Sequence, residues 1–405
     1  MTAHPKVRAF DRTTPPHIVT LVLIAGLPAA SMNLFLPSLP AMTEYFDTSY
    51  ATMQLALGAY LAANAPLQIL LGPLSDRYGR RLLTLWSCGL FVLATIGCLL
   101  APTTSIFLFF RILQAVIASG IVLSRAAVRD MVEDQSQAAS MIAYVTMGMA
   151  LVPMAAPVLG GFLDHQFGWH ANFIALGIAG AGLFALVWYD MGETFTPRDI
   201  SLGAQFSEYP ELLRSRRFWG YAMTTAFSAG TFFAYLGGGP KVGTEVFGLT
   251  PQALGLYFGA PALGYLVGNF LSGRFSTRLG VAPMVMFGSI SVVTAPVCVI
   301  VLATLGLDHP AAFFVPMIFV GLGNGMVMPN ATAGMLSLRP HLAGSAAGLG
   351  SAIMIGGGAA LSMLAGVVMT PGSGVSPLAL LMLASGLCGI ATMLYVRHIN
   401  RLEAA

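Results

Sequence analysis

Long apolar stretches recur along the whole chain and are separated by short polar segments. Each stretch runs for about 20 residues, the length that an α-helix needs to cross a bilayer. The pattern therefore predicts an all-α membrane protein with twelve transmembrane helices. The predicted spans are roughly residues 17–37, 50–72, 82–101, 105–128, 138–162, 171–190, 218–239, 251–272, 282–304, 311–337, 343–369 and 376–396.

The composition excludes a soluble globular protein. Only 9% of residues are charged and 56% are hydrophobic, whereas soluble domains carry roughly 25% charged residues. The short alternating segments typical of a transmembrane β-barrel are absent. The four cysteines fall within predicted spans, and we interpret them as small core residues. We expect no metal and no cofactor, because the spans contain no cluster of His, Asp and Glu.

The basic residues lie almost entirely on one side of the predicted membrane. Arginine and lysine in short loops favour the cytoplasmic side. With the N-terminus inside, all but two of the 19 basic residues are cytoplasmic. The exceptions are Lys241, in a predicted outer loop, and Arg111, within the fourth span. We therefore expect both termini to be cytoplasmic. Because the basic residues are spread over separate loops, we expect no nucleic-acid partner.

One long connection, residues 191–217, divides the chain into two halves, residues 1–190 and 218–405. The halves show a faint repeat. Leu271-Ser-Gly-Arg274 and Arg278-Leu-Gly280 resemble Leu74-Ser-Asp-Arg77 and the glycine–arginine run after it. Two six-helix halves of this kind predict a substrate site between them, near the middle of the bilayer.

The loop after the second span reads Gly72-Pro-Leu-Ser-Asp-Arg-Tyr-Gly-Arg-Arg81. It resembles the signature G-x-L-[SA]-D-R-x-G-R-[KR] of the major facilitator superfamily. Further strings resemble the superfamily's R-x-x-Q-G and antiporter motifs, or the bicyclomycin/chloramphenicol-resistance (Bcr/CflA) group of drug:proton antiporters. They are Phe110–Ala115, Ala156–Gly161, Phe35–Pro40, Arg125–Asp130, Gly168–Phe173 and Ala229–Pro240.

The resemblance implies a conformational gate in this loop. Asp76 is expected to face the N-terminus of the eleventh helix, where the helix dipole favours an anion, and Asp130 to pair with Arg80 or Arg81. The alternative is that the arginines only set the topology. The predicted gate residues are Gly72, Asp76, Arg77, Gly79, Arg80, Arg81 and Asp130.

Arg111 lies within the fourth span, where an unpaired guanidinium is costly. It must face the bundle interior, a water-filled cavity or a partner, unless its side chain extends to the outer headgroups. Gln114 lies one turn further on. The resemblance implies that this arginine takes part in coupling, so we assign Arg111, Gln114 and Asn33 to the coupling site or the cavity.

A polar stripe on the second span is expected to face the substrate cavity, because Tyr60, Asn64 and Gln68 share one helix face. Aromatic residues of the C-terminal half would suit flat or apolar substrates. For the polar residues, helix–helix hydrogen bonds are an equal alternative, and for the aromatic residues, lipid-facing positions are. The other cavity candidates are Asn330, Phe232, Phe233, Tyr235 and Tyr257.

The chain departs from the Bcr/CflA pattern in the first span. That pattern reads D-x-Y-L-P, and here the string is Asn33-Leu-Phe-Leu-Pro37. Asn33 cannot carry the coupling proton, so proton coupling would need another group. We choose Asp130, with competition between substrate and proton at Arg111, or uniport, as alternatives.

We therefore expect a monomeric secondary transporter in the bacterial inner membrane. It would export small amphipathic compounds by alternating access, in exchange for protons. Export or import of one endogenous metabolite, such as an amino-acid derivative or an organic acid, is the alternative. An enzyme is not expected, because the spans lack acid–base clusters.

Overall fold

The computed structural model describes residues 7–131, 135–195, 209–338, 343–370 and 372–404. Within these ranges, all regular secondary structure is helical. We number the long helices in chain order. They are α1 (Ile18–Asn33), α2 (Leu55–Tyr78), α3 (Arg80–Leu99), α4 (Thr104–Leu113 and Ser119–Met131, joined by the 3-10 segment Gln114–Ala118), α5 (Gln135–Phe167), α6 (His170–Asp190), α7 (Arg216–Lys241), α8 (Ala260–Leu279), α9 (Val281–Thr304), α10 (Met317–Leu338), α11 (Ala343–Val368) and α12 (Ser376–Ala404).

Shorter helical segments extend or precede these helices. They are Leu36–Ser38, Leu39–Tyr45, Tyr50–Met53, Tyr209–Leu213, Val242–Val246, Pro251–Phe258 and Pro310–Phe314.

Ten helical segments of the described ranges are long and apolar enough to cross a membrane. Large apolar side chains stay exposed on their outer faces, as at Phe270 (71%) and Ile178 (69%), which a bilayer would cover. The ten segments correspond to predicted spans, and α5 and α7 occupy the positions of the other two. The protein is thus an all-α, multi-pass membrane protein.

Two glycines form matching turns between consecutive helices. Gly79 separates α2 from α3 with φ 91° and ψ 151°, and Gly280 separates α8 from α9 with φ 87° and ψ 165°. A positive φ of this kind favours glycine, which has no Cβ. Aligning the two halves at these glycines pairs Arg77-Tyr78-Gly79 with Arg278-Leu279-Gly280. The repeat read from the sequence pairs Leu74–Arg77 with Leu271–Arg274, which is shifted by about one helical turn from this alignment.

The helices pack mainly within residues 1–190 and within residues 218–405. In the first group α1 packs on α5 and α3 on α6, and in the second α7 packs on α11 and α12 and α8 on α10. The main contacts between the groups are α2 with α11, and α5 with Pro251–Phe258 and α8.

Polar and close backbone contacts join the two groups at one end of the molecule, which we call the far end. There the Tyr50 hydroxyl donates to the Gly237 carbonyl (2.7 Å), and Gln54 Nε2 donates to Ser362 Oγ (2.6 Å). Lys241 lies at this end as well. It is 4% exposed in α7, and its Nζ donates to the Met369 carbonyl at 2.6 Å. The prediction that Lys241 lies in a loop is wrong, because helical structure continues through it.

The described parts of both terminal segments lie at the opposite end, which we call the terminal end. The backbone N–H groups of Phe10 and His17 donate to the Asp190 carboxylate at 2.8 and 2.9 Å. Arg217 Nε, at the start of α7, donates to Asn400 Oδ1 at 2.6 Å. The loop between α2 and α3 lies at this end too.

Replacing Gly161 with alanine should destabilise the closed far end. A Cβ at Gly161 would meet the Pro251 carbonyl oxygen, so α5 and the segment Pro251–Phe258 would have to separate. Overpacking of this kind costs about 1–3 kcal/mol. We expect a lower melting temperature of the purified protein and slower transport in proteoliposomes.

Gly182→Ala is the matched control, because a Cβ there meets no atom within 4 Å. It should leave both measurements at wild-type values or slightly raise the melting temperature. A Gly161→Ala protein that melts and transports like wild type would refute the close contact.

Candidate functional site

A cavity of about 230 Å³ lies between the two groups of helices. The residues that line it come from α1, α2, α4 and α5 on one side, and from α7, α8, α10, α11 and Pro251–Phe258 on the other. Most are apolar or aromatic, and none of these lining residues carries a formal charge. Those with polar side chains are Tyr60, Asn64, Tyr265 and Asn324.

Four of the predicted cavity residues are in the cavity wall. Tyr60 and Asn64 line it from α2, and Phe232 and Phe233 line it from α7. Two of the three residues of the stripe on α2, Tyr60 and Asn64, thus face the space between the two groups.

The other four predicted cavity residues lie behind the wall. Gln68 Nε2 donates to Asn64 Oδ1 (3.1 Å), and Asn330 Nδ2 donates to Ser272 Oγ (2.7 Å). Tyr235 stacks on Phe258 at 4.9 Å, and Tyr257 stacks on Phe314 at 5.2 Å. Gln68 and Tyr235 therefore support residues that line the cavity, namely Asn64 and Phe258.

Arg111 is fully buried, with 0% exposure. Its Nε donates to the Ala56 carbonyl (3.0 Å), and Nη1 to Ser31 Oγ (2.9 Å) and Gln114 Oε1 (2.6 Å). Nη2 donates to the Ser31 carbonyl at 2.7 Å. These acceptors are all uncharged. The side chain therefore points into the protein, and not to the headgroups.

Two aromatic rings enclose the Arg111 guanidinium. Its central carbon lies 4.5 Å from the Phe35 ring centroid and 4.4 Å from that of Tyr60. The aromatic faces attract the cation, and this attraction is stronger when water is excluded. Because Tyr60 also lines the cavity, one side chain separates Arg111 from the cavity.

Gln114 and Asn33 lie in the same buried layer. Gln114 Nε2 donates to Thr95 Oγ1 at 2.6 Å, so its amide bridges Arg111 and α3. Asn33 is 0% exposed, and its Nδ2 donates to the Ala29 carbonyl at 2.8 Å. The Asn33 Oδ1 has no partner in the structure.

Arg80 binds the end of α4 at the terminal end. Its Nε lies 3.0 Å from Asp130 Oδ2, as predicted from the sequence. Its Nη1 donates to Ser75 Oγ, and its guanidinium lies 4.7 Å from the Phe195 ring centroid. The pair is largely buried, with side-chain exposures of 7% and 15%, so solvent screens it less than a surface pair.

Glu193 and Arg81 bind the α2–α3 turn to the end of α6. Glu193 accepts from the backbone N–H groups of Arg80 (2.8 Å) and Arg81 (3.2 Å), at the N-terminus of α3. Arg81 donates to the Trp188 and Met191 carbonyls, at the C-terminus of α6. A carboxylate at a helix N-terminus and a cation at a C-terminus both complement the helix dipole.

Of the remaining gate candidates, the structure describes the surroundings of Arg77 and Gly79. Arg77 is exposed, and its guanidinium lies 5.6 Å from the Tyr78 ring centroid. Gly79 supplies the turn, and a Cβ there would clash with Glu193. The side-chain surroundings of Gly72 and Asp76 lie outside the described residues, as does residue 342, so the predicted contact of Asp76 with α11 stays a prediction.

The sequence analysis missed Glu193, Ser31 and Thr95 as partners of the predicted residues. Glu193 lies in the connection that follows α6, far along the chain from Arg80, and nothing local points to this contact. Ser31 and Thr95 are ordinary small polar residues of apolar helices. Only the buried arginine, which needs several acceptors, indicates that such partners must exist.

The model of the Major Facilitator Superfamily matches residues 21–363. The chain belongs to this superfamily. The transporter is 34% identical to the uncharacterized MFS-type transporter YdgK of Bacillus subtilis, over 86% of this chain and 87% of that one. It is 30% identical to a chloramphenicol resistance protein of Pseudomonas aeruginosa (79% and 76% covered) and 27% identical to a bicyclomycin resistance protein homolog of Haemophilus influenzae (87% and 89% covered). The resemblance to the Bcr/CflA group is thereby confirmed.

The fold of the transporter is also similar to a solved structure. A bacterial homolog of the human lysosomal transporter Spinster, in an inward-facing and occupied conformation, superposes with a TM-score of 0.68. The two chains are 17% identical, and 94% of this chain and 93% of the other are covered. At this identity the similarity concerns the fold alone.

Arg111→Ala should abolish transport. It would leave the Ser31, Ala56 and Gln114 acceptors without a donor and open a void between two rings. Buried acceptors that lose their donor cost free energy, so we expect the transport rate to fall roughly 100-fold. Arg111→Lys keeps the charge but not the planar fork, so we expect it to restore only part of the rate. Initial transport rates in proteoliposomes test this.

Arg274→Ala is the control, because Arg274 is exposed at the terminal end of α8. It should transport like wild type. Monodisperse protein from each variant ensures that folding is not the cause. Normal transport by Arg111→Ala would show that the network has no functional role.

Proposed function

We propose that this chain is a secondary transporter that exports small amphipathic compounds by alternating access. The observation that carries the proposal is the uncharged cavity lined from both groups of helices. Relatives named for resistance to chloramphenicol and bicyclomycin support drug export. Export then consists of opening the cavity to one side of the membrane and afterwards to the other.

We infer that the moving bodies are two six-helix halves, residues 1–190 and 218–405, joined by a cytoplasmic linker at 191–217. Counting α5 and α7 as membrane-spanning completes twelve helices. The packing within each group and the matching turns at Gly79 and Gly280 support this division. Both termini would be cytoplasmic, and a monomer in the bacterial inner membrane contains the whole cavity.

In this arrangement the described structure is closed at the far end. The bonds from Tyr50 to Gly237 and from Gln54 to Ser362 would have to break for the cavity to open there. At the terminal end, Arg80 and Arg81 bind the ends of α4 and α6, which belong to their own half. The loop between α2 and α3 would therefore move as part of the N-terminal half.

The driving force would be proton antiport. The Asn33 side chain is an amide and cannot carry the coupling proton. The hydrogen-bond acceptors of Arg111 are uncharged, so they include no carboxylate that could do so. Asp130 is the carboxylate that we assign, because its pair with Arg80 links α3 and α4 and could break in another state.

Asp130→Asn should uncouple transport from protons. We expect substrate efflux down its own gradient to continue, and acceleration by an imposed pH gradient to disappear. Asn33→Asp should add a buried titrating group and strengthen the dependence on pH. Parallel efflux assays in proteoliposomes, with and without a pH gradient, measure both effects.

Asp308→Asn is the control, because Asp308 is exposed at the far end; it should respond to the gradient like wild type. Full proton-driven accumulation by Asp130→Asn would eliminate Asp130 as the coupling group. A wild-type protein that ignores the gradient would make the transporter a uniporter.

A further inference from the structure

We propose that Asn324 is the substrate's polar anchor. Its amide N–H donates to an acceptor oxygen of an uncharged, largely apolar ligand in the central cavity. This inference rests on the proposed function, because it takes the cavity as the transport site. It adds a specificity-determining residue and a substrate class.

The Asn324 amide has one free edge. The residue lines the cavity from α10 and is 3% exposed. The Ser228 hydroxyl, on α7, donates to its Oδ1 at 3.0 Å. Its Nδ2 has no partner in the structure. A buried N–H without an acceptor is costly, so a ligand oxygen that accepts from it gains affinity.

Asn64, on the opposite wall of the cavity, resembles Asn324 in that its amide oxygen is bonded within the protein. Its Oδ1 accepts from Gln68 Nε2 at 3.1 Å, so the acceptor side of this amide is already bonded. The Tyr60 hydroxyl donates to the Pro28 carbonyl at 3.4 Å, so its proton is engaged within the protein. The cavity therefore offers amide donors and favours ligands that carry acceptors.

The charge of the wall excludes ions. The lining residues include no carboxylate and no basic side chain. Aromatic faces at Phe232, Phe233 and Phe258 attract a cation that has left water, but an ion without a counter-charge loses far more hydration free energy. Arg111, behind Tyr60, further disfavours a cation. The same rings suit a flat, uncharged group.

Binding to the purified full-length protein in nanodiscs tests the anchor. The two probes are chloramphenicol, an uncharged aromatic amide with several acceptor oxygens, and tetraphenylphosphonium, a permanent cation without acceptors. Wild type should bind chloramphenicol at least about tenfold more tightly than tetraphenylphosphonium.

The variants separate hydrogen bonding from charge. Asn324→Leu should weaken chloramphenicol binding about tenfold and leave tetraphenylphosphonium unchanged. Asn324→Asp should strengthen tetraphenylphosphonium binding about tenfold, because it places a carboxylate in the wall. Asn400→Leu is the control. Asn400 lies at the terminal end of α12, away from the cavity, and its Oδ1 accepts from Arg217 Nε at 2.6 Å; both affinities should stay at wild-type values.

Unchanged chloramphenicol binding by Asn324→Leu would overturn the proposal. So would wild-type protein that binds the cation as tightly as chloramphenicol, or that binds neither probe. Because binding is measured without transport, the proposed function can fail separately. The expected pattern in a protein that exports neither probe would refute drug export and support the anchor.

Discussion

The rest of the structure depends on one constraint, which is that polar groups inside an apolar helical body need partners from within the protein. Arg111 shows how strictly the constraint is met. Its guanidinium bonds to two backbone carbonyls and two neutral side chains and lies between two rings. Those partners fix α1, α2 and α4 against one another. One of the two rings, that of Tyr60, is part of the cavity wall. Against this background, the unpartnered Asn324 amide is a candidate contact for a ligand.

The two ends of the molecule are held in different ways. At the far end, hydrogen bonds run from the first group of helices to the second, as from Gln54 to Ser362. At the terminal end, the bonds described for Arg80, Arg81 and Glu193 join helices of the first group to one another and to the start of the connection 191–217. Closure at the far end thus rests on polar bonds, on close backbone contacts and on a cluster of buried apolar side chains from both groups.

Much of the fold could be predicted from the sequence, because apolar length alone locates helices in a bilayer. A pair of Asp130 with Arg80 or Arg81 could be predicted too, because a positive loop and an acid at a helix end face the same side. Helical periodicity predicts which residues share a face, but not which of them line the cavity. Tyr60, Asn64 and Gln68 share a face, yet Gln68 supports the wall and does not line it. Lysine is a residue type expected in loops, but Lys241 lies in a helix. Its ammonium donates to the Met369 carbonyl and lies over the Tyr50 ring. Glu193 depends on tertiary contacts that no local pattern encodes.

The central claim is that the far end opens during transport. Labelling of Ser362→Cys with a membrane-impermeant maleimide tests it most directly, in protein whose four native cysteines are replaced by serine. Ser362 is 0% exposed, and Ser376, exposed at the same end, provides the reference Ser376→Cys. We predict slow labelling of Ser362→Cys at rest and faster labelling during transport, with no change at Ser376→Cys. Labelling at rest as fast as the reference, or none during active transport, would contradict alternating access about this contact.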